Sequence, residues 1–211
     1  MSLEDEEAGY PCPACDARLY GWATARHPSG GEEIVLDHCE SCGLVVTRGR
    51  RAPDVAVELS DLDWEGGTIV APNRESLQGG IGGPGWAGLE PEQRRLHLNP
   101  RAATLLLRKR GIEVLGSATP FSGRSYAAML QTLVNAFTLR PNFVRNARAG
   151  RLPRGDLRGR LGFALDAVFS VLVAIPLSAL ALILELVGSL IGRGGVMRLE
   201  TAPGGIADGD G

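Results

Sequence analysis

The sequence predicts an α+β protein made of a small cysteine-bearing ribbon, a partial α/β region and one long hydrophobic helix. Three observations support this fold class. Two CxxC pairs lie near the N-terminus, a strand–loop–helix–strand pattern occupies residues 66–115, and residues 167–184 contain no charged side chain. Each pattern is typical of a different kind of structure, so we expect the chain to be divided into distinct segments.

The predicted segments also differ in charge. Residues 1–65 carry 14 acidic and 5 basic side chains, net −9, whereas residues 66–211 carry 10 acidic and 17 basic ones, net +7. The two parts are therefore expected to face different partners or each other.

We predict a tail at 1–9, a ribbon at 10–47, a linker at 48–65, the α/β region at 66–140, an arginine-rich linker at 141–160, a hydrophobic membrane helix or hairpin at 161–191, a closing strand at 192–201 and a tail at 202–211.

The ribbon prediction depends on four cysteines that occur as two pairs separated by 23 residues: Cys12, Cys15, Cys39 and Cys42. This spacing is typical of a four-cysteine zinc ribbon, because each CxxC turn directs two thiolates at one metal ion. The predicted strands are 20–27, 33–38 and 44–46, with a turn at 28–31 and a positive φ at Gly43. Four protein ligands leave no open position for a catalytic water, so the expected zinc is structural.

The alternatives for these cysteines are two disulfides or free thiols. The first residues are acidic rather than a basic-then-apolar leader, so no signal peptide is expected and zinc is favoured over disulfides. His27 and His38 are spare, and His38 is predicted to be a strand residue rather than a ligand. Since the ribbon lies in the acidic part of the chain, we expect no nucleic-acid binding, although Arg48, Arg50 and Arg51 cluster just beyond it.

The α/β region begins with a short apolar run bounded by glycine and proline, which predicts a buried strand at 67–71. Asn99 followed by Pro100 predicts the start of a helix over 101–110, and Gly111 stands where a helix commonly ends. A second strand is predicted at 112–115. Strand, long loop, helix and strand together make half of an α/β domain.

The same residues carry a family resemblance. Residues 66–77 (GGTIVAPNRESL), Trp86 and residues 95–114 (RLHLNPRAATLLLRKRGIEV) resemble the C-terminal half of zinc-ribbon-bearing class I S-adenosylmethionine-dependent methyltransferases. The resemblance covers about residues 62–139 and again 193–201. Arg94, Leu98 and Ile112 depart from the family pattern, and Pro91 falls one residue out of register. The residues that match as they stand are His97, Pro100, Leu106, Gly111, Glu113 and Val114.

The resemblance implies that a cofactor-binding half should lie between the ribbon and the α/β region. Only 23 residues separate Cys42 from Gly66, whereas one βαβ unit takes about 30. We therefore expect that this half is absent and that the chain does not bind S-adenosylmethionine. A literal GxGxxG at 80–85 follows no strand directly, so it predicts a loop rather than a cofactor cradle. Trp86 and His97 lie on the substrate side in the resembling enzymes, but here a packing tryptophan and a histidine at a helix entry are expected.

The C-terminal third contains the membrane-type features. An uncharged helix is predicted at 125–139, and the run 161–191 is apolar except for Asp166 and Glu185. Residues 167–184 would span about 27 Å, close to the hydrocarbon thickness of a bilayer. Arginines upstream of this run should favour anionic lipid on the cytoplasmic side: Arg145, Arg148, Arg151, Arg154, Arg158 and Arg160.

Whether this run crosses the bilayer depends on the strand that follows it. Residues 194–200 alternate and would pair beside 112–115. If they do pair there, both flanks of the run lie on one side of the bilayer, and the run is an in-plane helix or a bent hairpin. A soluble core helix or a dimer helix is the alternative.

Three functional hypotheses follow. The first is a methyltransferase-like scaffold, membrane-associated and not catalytic alone, that binds a partner protein or forms a homo-oligomer. The second is a methyltransferase whose cofactor half comes from a partner chain, with His97 as the best candidate base. The third is a membrane-anchored zinc-ribbon adaptor whose resemblance is accidental.

Overall fold

The computed structural model describes residues 10–26, 33–49, 52–60, 62–65, 67–140, 142–150, 152 and 157–202. The side chains of 157–159 are outside this description. Several predicted features therefore lie outside the described residues. They are the tail at 1–9, the turn at 28–31, the tail at 202–211 except residue 202, and the residues His27, Arg50, Arg51, Arg151 and Arg154.

The described residues form a mixed α/β structure with two antiparallel sheets. The first sheet contains β1 (Tyr20–Ala25), β2 (Ile34–His38) and β3 (Val45–Thr47), which match the three strands predicted for the ribbon. A fourth strand, β6 (Leu96–His97), pairs antiparallel with β3. His97 was expected at the entry of a helix, so the addition of a strand from the α/β region to this sheet is a new finding.

The residues expected to form a linker contain α1 (Val55–Ser60) and β4 (Asp63–Glu65). Glu58 on α1 accepts hydrogen bonds from the backbone N–H groups of Arg95 and Leu96, both at 3.1–3.2 Å, which attaches this segment to β6. β4 pairs antiparallel with the next strand along the chain. This segment therefore belongs to the packed structure.

The second sheet has the strand order β4, β5 (Thr68–Pro72), β8 (Val196–Thr201) and β7 (Val114–Ala118). β8 is antiparallel to both β5 and β7, so β5 and β7 run parallel to each other. The strands predicted at 67–71 and 194–200 are confirmed as β5 and β8. The predicted pairing of residues 194–200 beside 112–115 is also found, as the pairing of β8 with β7. The strand predicted at 112–115 begins and ends about two to three residues later.

The helix predicted at 101–110 is confirmed as α3 (Pro100–Lys109). Asn99 is its N-cap, Pro100 stands at its first position, and Gly111 has φ 74°. The glycine motif differs from the predicted loop, because α2 (Leu77–Gly82) contains its first three residues and a short 3₁₀ turn (Gly83–Gly85) contains the rest. Ser76 is the N-cap of α2 and accepts a hydrogen bond from Gly79 N. The cap favours a helix here although the sequence that follows is rich in glycine.

The C-terminal part contains α4 (Gly123–Asn135), α5 (Phe143–Arg148) and α6 (Leu157–Leu190). α4 begins and ends earlier than the predicted helix at 125–139, and Phe137 and Leu139, which lie beyond its end, are exposed. The residues expected to form an arginine-rich linker include α5 and the start of α6. The predicted hairpin is not present, since α6 is one continuous helix of 34 residues with Pro176 inside it.

One buried cluster joins the two sheets. It contains Cys12, Cys39 and Leu44 from the cysteine segment together with Ile69 and Leu106 from the α/β region. Because apolar burial is the main favourable term in folding, these two parts of the chain stabilise each other.

Candidate metal centre and apolar helix face

The four predicted cysteines lie together in the folded chain. Their Sγ atoms all lie within 4.8 Å of one another, with 3.6 Å between Cys12 and Cys42 and 3.4 Å between Cys15 and Cys39. All four are free thiols, and these distances exceed the roughly 2.05 Å of a disulfide. Tetrahedral coordination at about 2.3 Å per metal–sulfur bond would separate the sulfurs by about 3.8 Å. The cluster therefore fits a single four-coordinate metal ion.

Each cysteine pair lies in a turn of the same construction. The N–H of Asp16 donates to the carbonyl of Cys12 at 2.9 Å, and the N–H of Gly43 donates to the carbonyl of Cys39 at 2.8 Å. Asp16 and Gly43 each stand four residues after the first cysteine of their pair, and both have positive φ, 61° and 74°. The predicted positive φ at Gly43 is confirmed, and the matching conformation of Asp16 gave no glycine signal in the sequence.

Electrostatics within the cluster favour a thiolate. The hydrogen bond with Cys42 lowers the pKa of Cys12 to about 5, and the same contact raises the pKa of Cys42. Burial raises the pKa of Cys39. Thiolates are the metal-binding form of cysteine. A divalent cation bound here would therefore take the place of the protons on these thiols. His38 ends β2 and is not among the clustered ligand atoms, as the sequence predicted.

Contacts from α3 support the cysteine turns. Asn99 Nδ2 donates to the Cys42 carbonyl at 2.9 Å, while Asn99 Oδ1 accepts from Ala102 N at 2.6 Å. At the other end of α3, Lys109 Nζ donates to the carbonyl of Pro13 at 3.1 Å and forms an ion pair with Asp16. Only the capping role of Asn99 was predicted from local residues. Its second role could not be predicted, because it depends on which loop packs against the helix start.

Trp86 is buried, as its predicted packing role requires, and His97 is buried on β6 rather than at a helix entry. His97 Nε2 lies 2.9 Å from Thr47 Oγ1, and burial, followed by the charge of Arg74, lowers the pKa of the His97 imidazole to about 3. Trp86 Nε1 donates to Gln78 Oε1 at 3.0 Å. The glycine motif lies at the C-terminal end of α2, so its glycines do not connect a strand to the start of a helix.

Comparison with known proteins identifies no relative. No family model, curated protein or solved structure matches this chain.

The second feature of interest is the distribution of side chains around α6. Small or polar residues face the rest of the chain, among them Asp166, Ser170, Ala181, Glu185 and Gly188, all buried. Large apolar residues face outward, and Val171, Ile175 and Leu190 are 68%, 75% and 85% exposed. A helix packed on a water-soluble domain normally shows the opposite arrangement. The outward residues form a continuous apolar face, which includes Leu161, Val168, Leu172, Ile175, Ile183 and Leu190.

Buried carboxylates attach α6 to the chain near both of its ends. Asp166 Oδ1 accepts a hydrogen bond from Leu139 N at 2.6 Å. Glu185 accepts hydrogen bonds from Gln78 Nε2 at 2.9 Å and from Gly195 N at 2.8 Å. These two residues lie about 28 Å apart at 1.5 Å per residue. α6 therefore lies along the rest of the structure over most of its length.

Length and composition make the segment Arg160–Leu190 the one described helix that could cross a membrane, which is weak evidence for membrane association. Of the six arginines predicted to contact lipid, Arg145 forms an ion pair with Glu90 at 2.6 Å, and Arg148 and Arg160 are exposed. Arg151, Arg154 and the side chain of Arg158 lie outside the described residues.

Proposed function

We propose that this protein is a zinc-containing, methyltransferase-like scaffold that lies on an anionic membrane surface and is not catalytic alone. The observation that carries the membrane part is the outward apolar face of α6. An exposed row of large apolar side chains needs a cover, and a bilayer supplies one without any specific partner.

The in-plane arrangement is favoured over a crossing helix. α4 packs beside α6 and carries the exposed Arg124 together with the half-buried Gln131 and Asn135. If α6 crossed the bilayer, α4 would enter the hydrocarbon with these polar groups, which is costly. With α6 in the interface plane, only its outward face enters lipid, and the arginines near its N-terminal end contact anionic headgroups on the cytoplasmic side.

Zinc is the metal that best suits the cysteine cluster. Four thiolates at tetrahedral spacing are typical of structural zinc sites, and no ligand position remains for a substrate. Cys12, Cys15, Cys39 and Cys42 would hold the ion, and its role would be to stabilise the turns that pack against α3.

The methyltransferase-like part of the proposal rests on the second sheet and on the length of the linker. β5, β7 and β8 share one sheet, the arrangement that the first hypothesis requires. In the linker at 48–65, where a cofactor half would stand, the described residues form only α1 and β4. The same sheet keeps the second hypothesis open, in which a partner chain supplies that half. Calorimetric titration of the purified chain with S-adenosylmethionine tests the scaffold proposal, because binding by this chain alone would show a self-sufficient cofactor site and contradict it.

Vesicle flotation tests the membrane part. The zinc-loaded full chain is expected to float with vesicles of phosphatidylcholine and phosphatidylglycerol, and less with phosphatidylcholine alone. Val171→Glu/Ile175→Glu, which places two carboxylates on the outward face, should reduce the floating fraction at least tenfold. Leu115→Glu is the matched control, because Leu115 is 62% exposed but lies on β7.

Two results would contradict this proposal. One is equal flotation of the double variant and the control. The other is a stable dimer in vesicle-free buffer that the double variant dissociates, since that result would assign the face to a second copy of the chain.

A further inference from the structure

A cleft of about 490 Å³ lies at one edge of the second sheet, away from the cysteine cluster. Pro72 at the end of β5 and Val196 at the start of β8 form part of its floor. Trp86 and the helices α4 and α5 form its walls. Its volume is in the range of small-molecule sites, and none of its lining residues belongs to α6 or to the cysteine turns. Arg145 and Arg148, two of the six arginines predicted to contact lipid, also line this cleft. Binding of a small ligand here does not require α6 to lie on a membrane.

The charge of this cleft is strongly positive. Four arginines line it, Arg94, Arg124, Arg145 and Arg148, against one acidic residue, Glu90. They come from three separate parts of the chain: the segment before β6, α4 and α5. Four arginines and one carboxylate give the lining of this cleft a net positive charge, which an anionic ligand would compensate.

The ion pairs of the described residues do not neutralise this cluster. Arg145 pairs with Glu90 at 2.6 Å and Arg124 pairs with Asp63. Among the residues that the structure describes, Arg94 and Arg148 have no carboxylate partner. Two guanidinium groups over the cleft are thus available to a ligand.

We propose that this cleft binds a small molecule that carries a phosphate group. A guanidinium group forms two parallel hydrogen bonds with phosphate, and a phosphate has enough oxygens and charge to engage more than one arginine. A carboxylate carries one negative charge and two oxygens, so it would compensate less of this positive charge than a phosphate. The lining contributed by Trp86, Val144 and Val196 is apolar, so the part of the ligand beside the phosphate is expected to be apolar or a flat ring.

Isothermal titration calorimetry of the zinc-loaded full chain tests this with defined probes. Octyl phosphate below its micelle concentration represents a lipid-like source, and glucose 6-phosphate represents a soluble one. Binding of either probe, weakened by added salt, supports the proposal, and the probe that binds more tightly identifies the source. Binding of neither probe, or equal binding of octyl phosphate and uncharged octyl glucoside, would overturn it.

Two substitutions locate the site. Arg94→Gln and Arg148→Gln should each weaken binding of the better probe about tenfold, the effect expected when one charge-assisted contact is lost. Arg108→Gln is the matched control, because Arg108 is exposed on α3 and does not line the cleft. Arg148 is exposed on a short helix, so its substitution should leave the fold intact even if Arg94→Gln does not fold. Unchanged affinity in a folded Arg148→Gln variant, or an equal loss in the control, would refute the assignment.

Discussion

Asn99→Ala should cost more than a helix cap normally contributes, because Asn99 also holds the second cysteine turn. Loss of the cap removes the acceptor for Ala102 N, which is worth about 1 kcal/mol. Loss of Nδ2 leaves the buried Cys42 carbonyl without that donor, which adds about 1–2 kcal/mol. The contact of Nδ2 with the exposed Glu75 adds about 0.5 kcal/mol after solvent screening. The sum is about 3 kcal/mol.

Urea denaturation of the zinc-saturated protein, followed by tryptophan fluorescence, measures this cost. A loss of about 3 kcal/mol should also lower the melting temperature by about 6–12 °C in a chain of this size. Asn99→Ser keeps a capping oxygen but loses both amide contacts, so its free energy of unfolding should be about 1.5–2.5 kcal/mol lower than that of the wild type. Ser122→Ala is the control, since Ser122 caps α4 through Ser125 N and should cost only about 1 kcal/mol.

The order of the three variants is the critical result. If Asn99→Ala costs no more than Ser122→Ala, the contact between Asn99 and the Cys42 carbonyl contributes nothing, and the proposed support of the metal centre by α3 is refuted.

Three further predictions concern the buried chemistry. Cys39→Ser, or treatment with a chelator, should unfold both sheets together rather than the ribbon alone, as monitored by circular dichroism. The core is shared, and the proposed zinc would contribute about 10–16 kcal/mol to folding. His97→Gln should reduce sensitivity to acid. The pKa of His97 is about 3 in the folded state and 6.5 in the unfolded state, so the unfolded state binds more protons between these values. The free energy of unfolding therefore falls as the pH drops through this range. At pH 5 the wild type should have lost about 2 kcal/mol that the variant retains. Glu185→Ala should cost about 3 kcal/mol in urea denaturation, because Gln78 and Gly195 N lose their acceptor.

Each of these has an outcome that contradicts it. Retention of the second sheet without metal would show that the two parts fold independently. Parallel stability curves for the wild type and His97→Gln between pH 7.5 and 5 would exclude a buried neutral imidazole, and the zinc contribution cancels in that comparison. An equal cost for the exposed Glu200→Ala would show that the Glu185 contacts do not hold the end of α6.

Local patterns determined much of this protein. The CxxC pairs predicted which four side chains meet, because each pair fixes its own turn within a few residues. Asn99, Pro100 and Gly111 set the bounds of α3 through capping, which is also local. The uncharged run predicted a long helix, and the alternation after residue 194 predicted the final strand.

Other features were decided only by tertiary packing. β6 consists of two residues and has no periodicity to detect, and it exists because β3 offers it an unpaired edge. The outward apolar face of α6 could not be predicted from its sequence, because the helix is apolar on most sides. The positions of α4 and α2 determine which side is covered. The arginine-lined cleft likewise joins residues from three elements. Sequence spacing encodes contacts within a turn of chain, whereas contacts between elements depend on how the whole core packs.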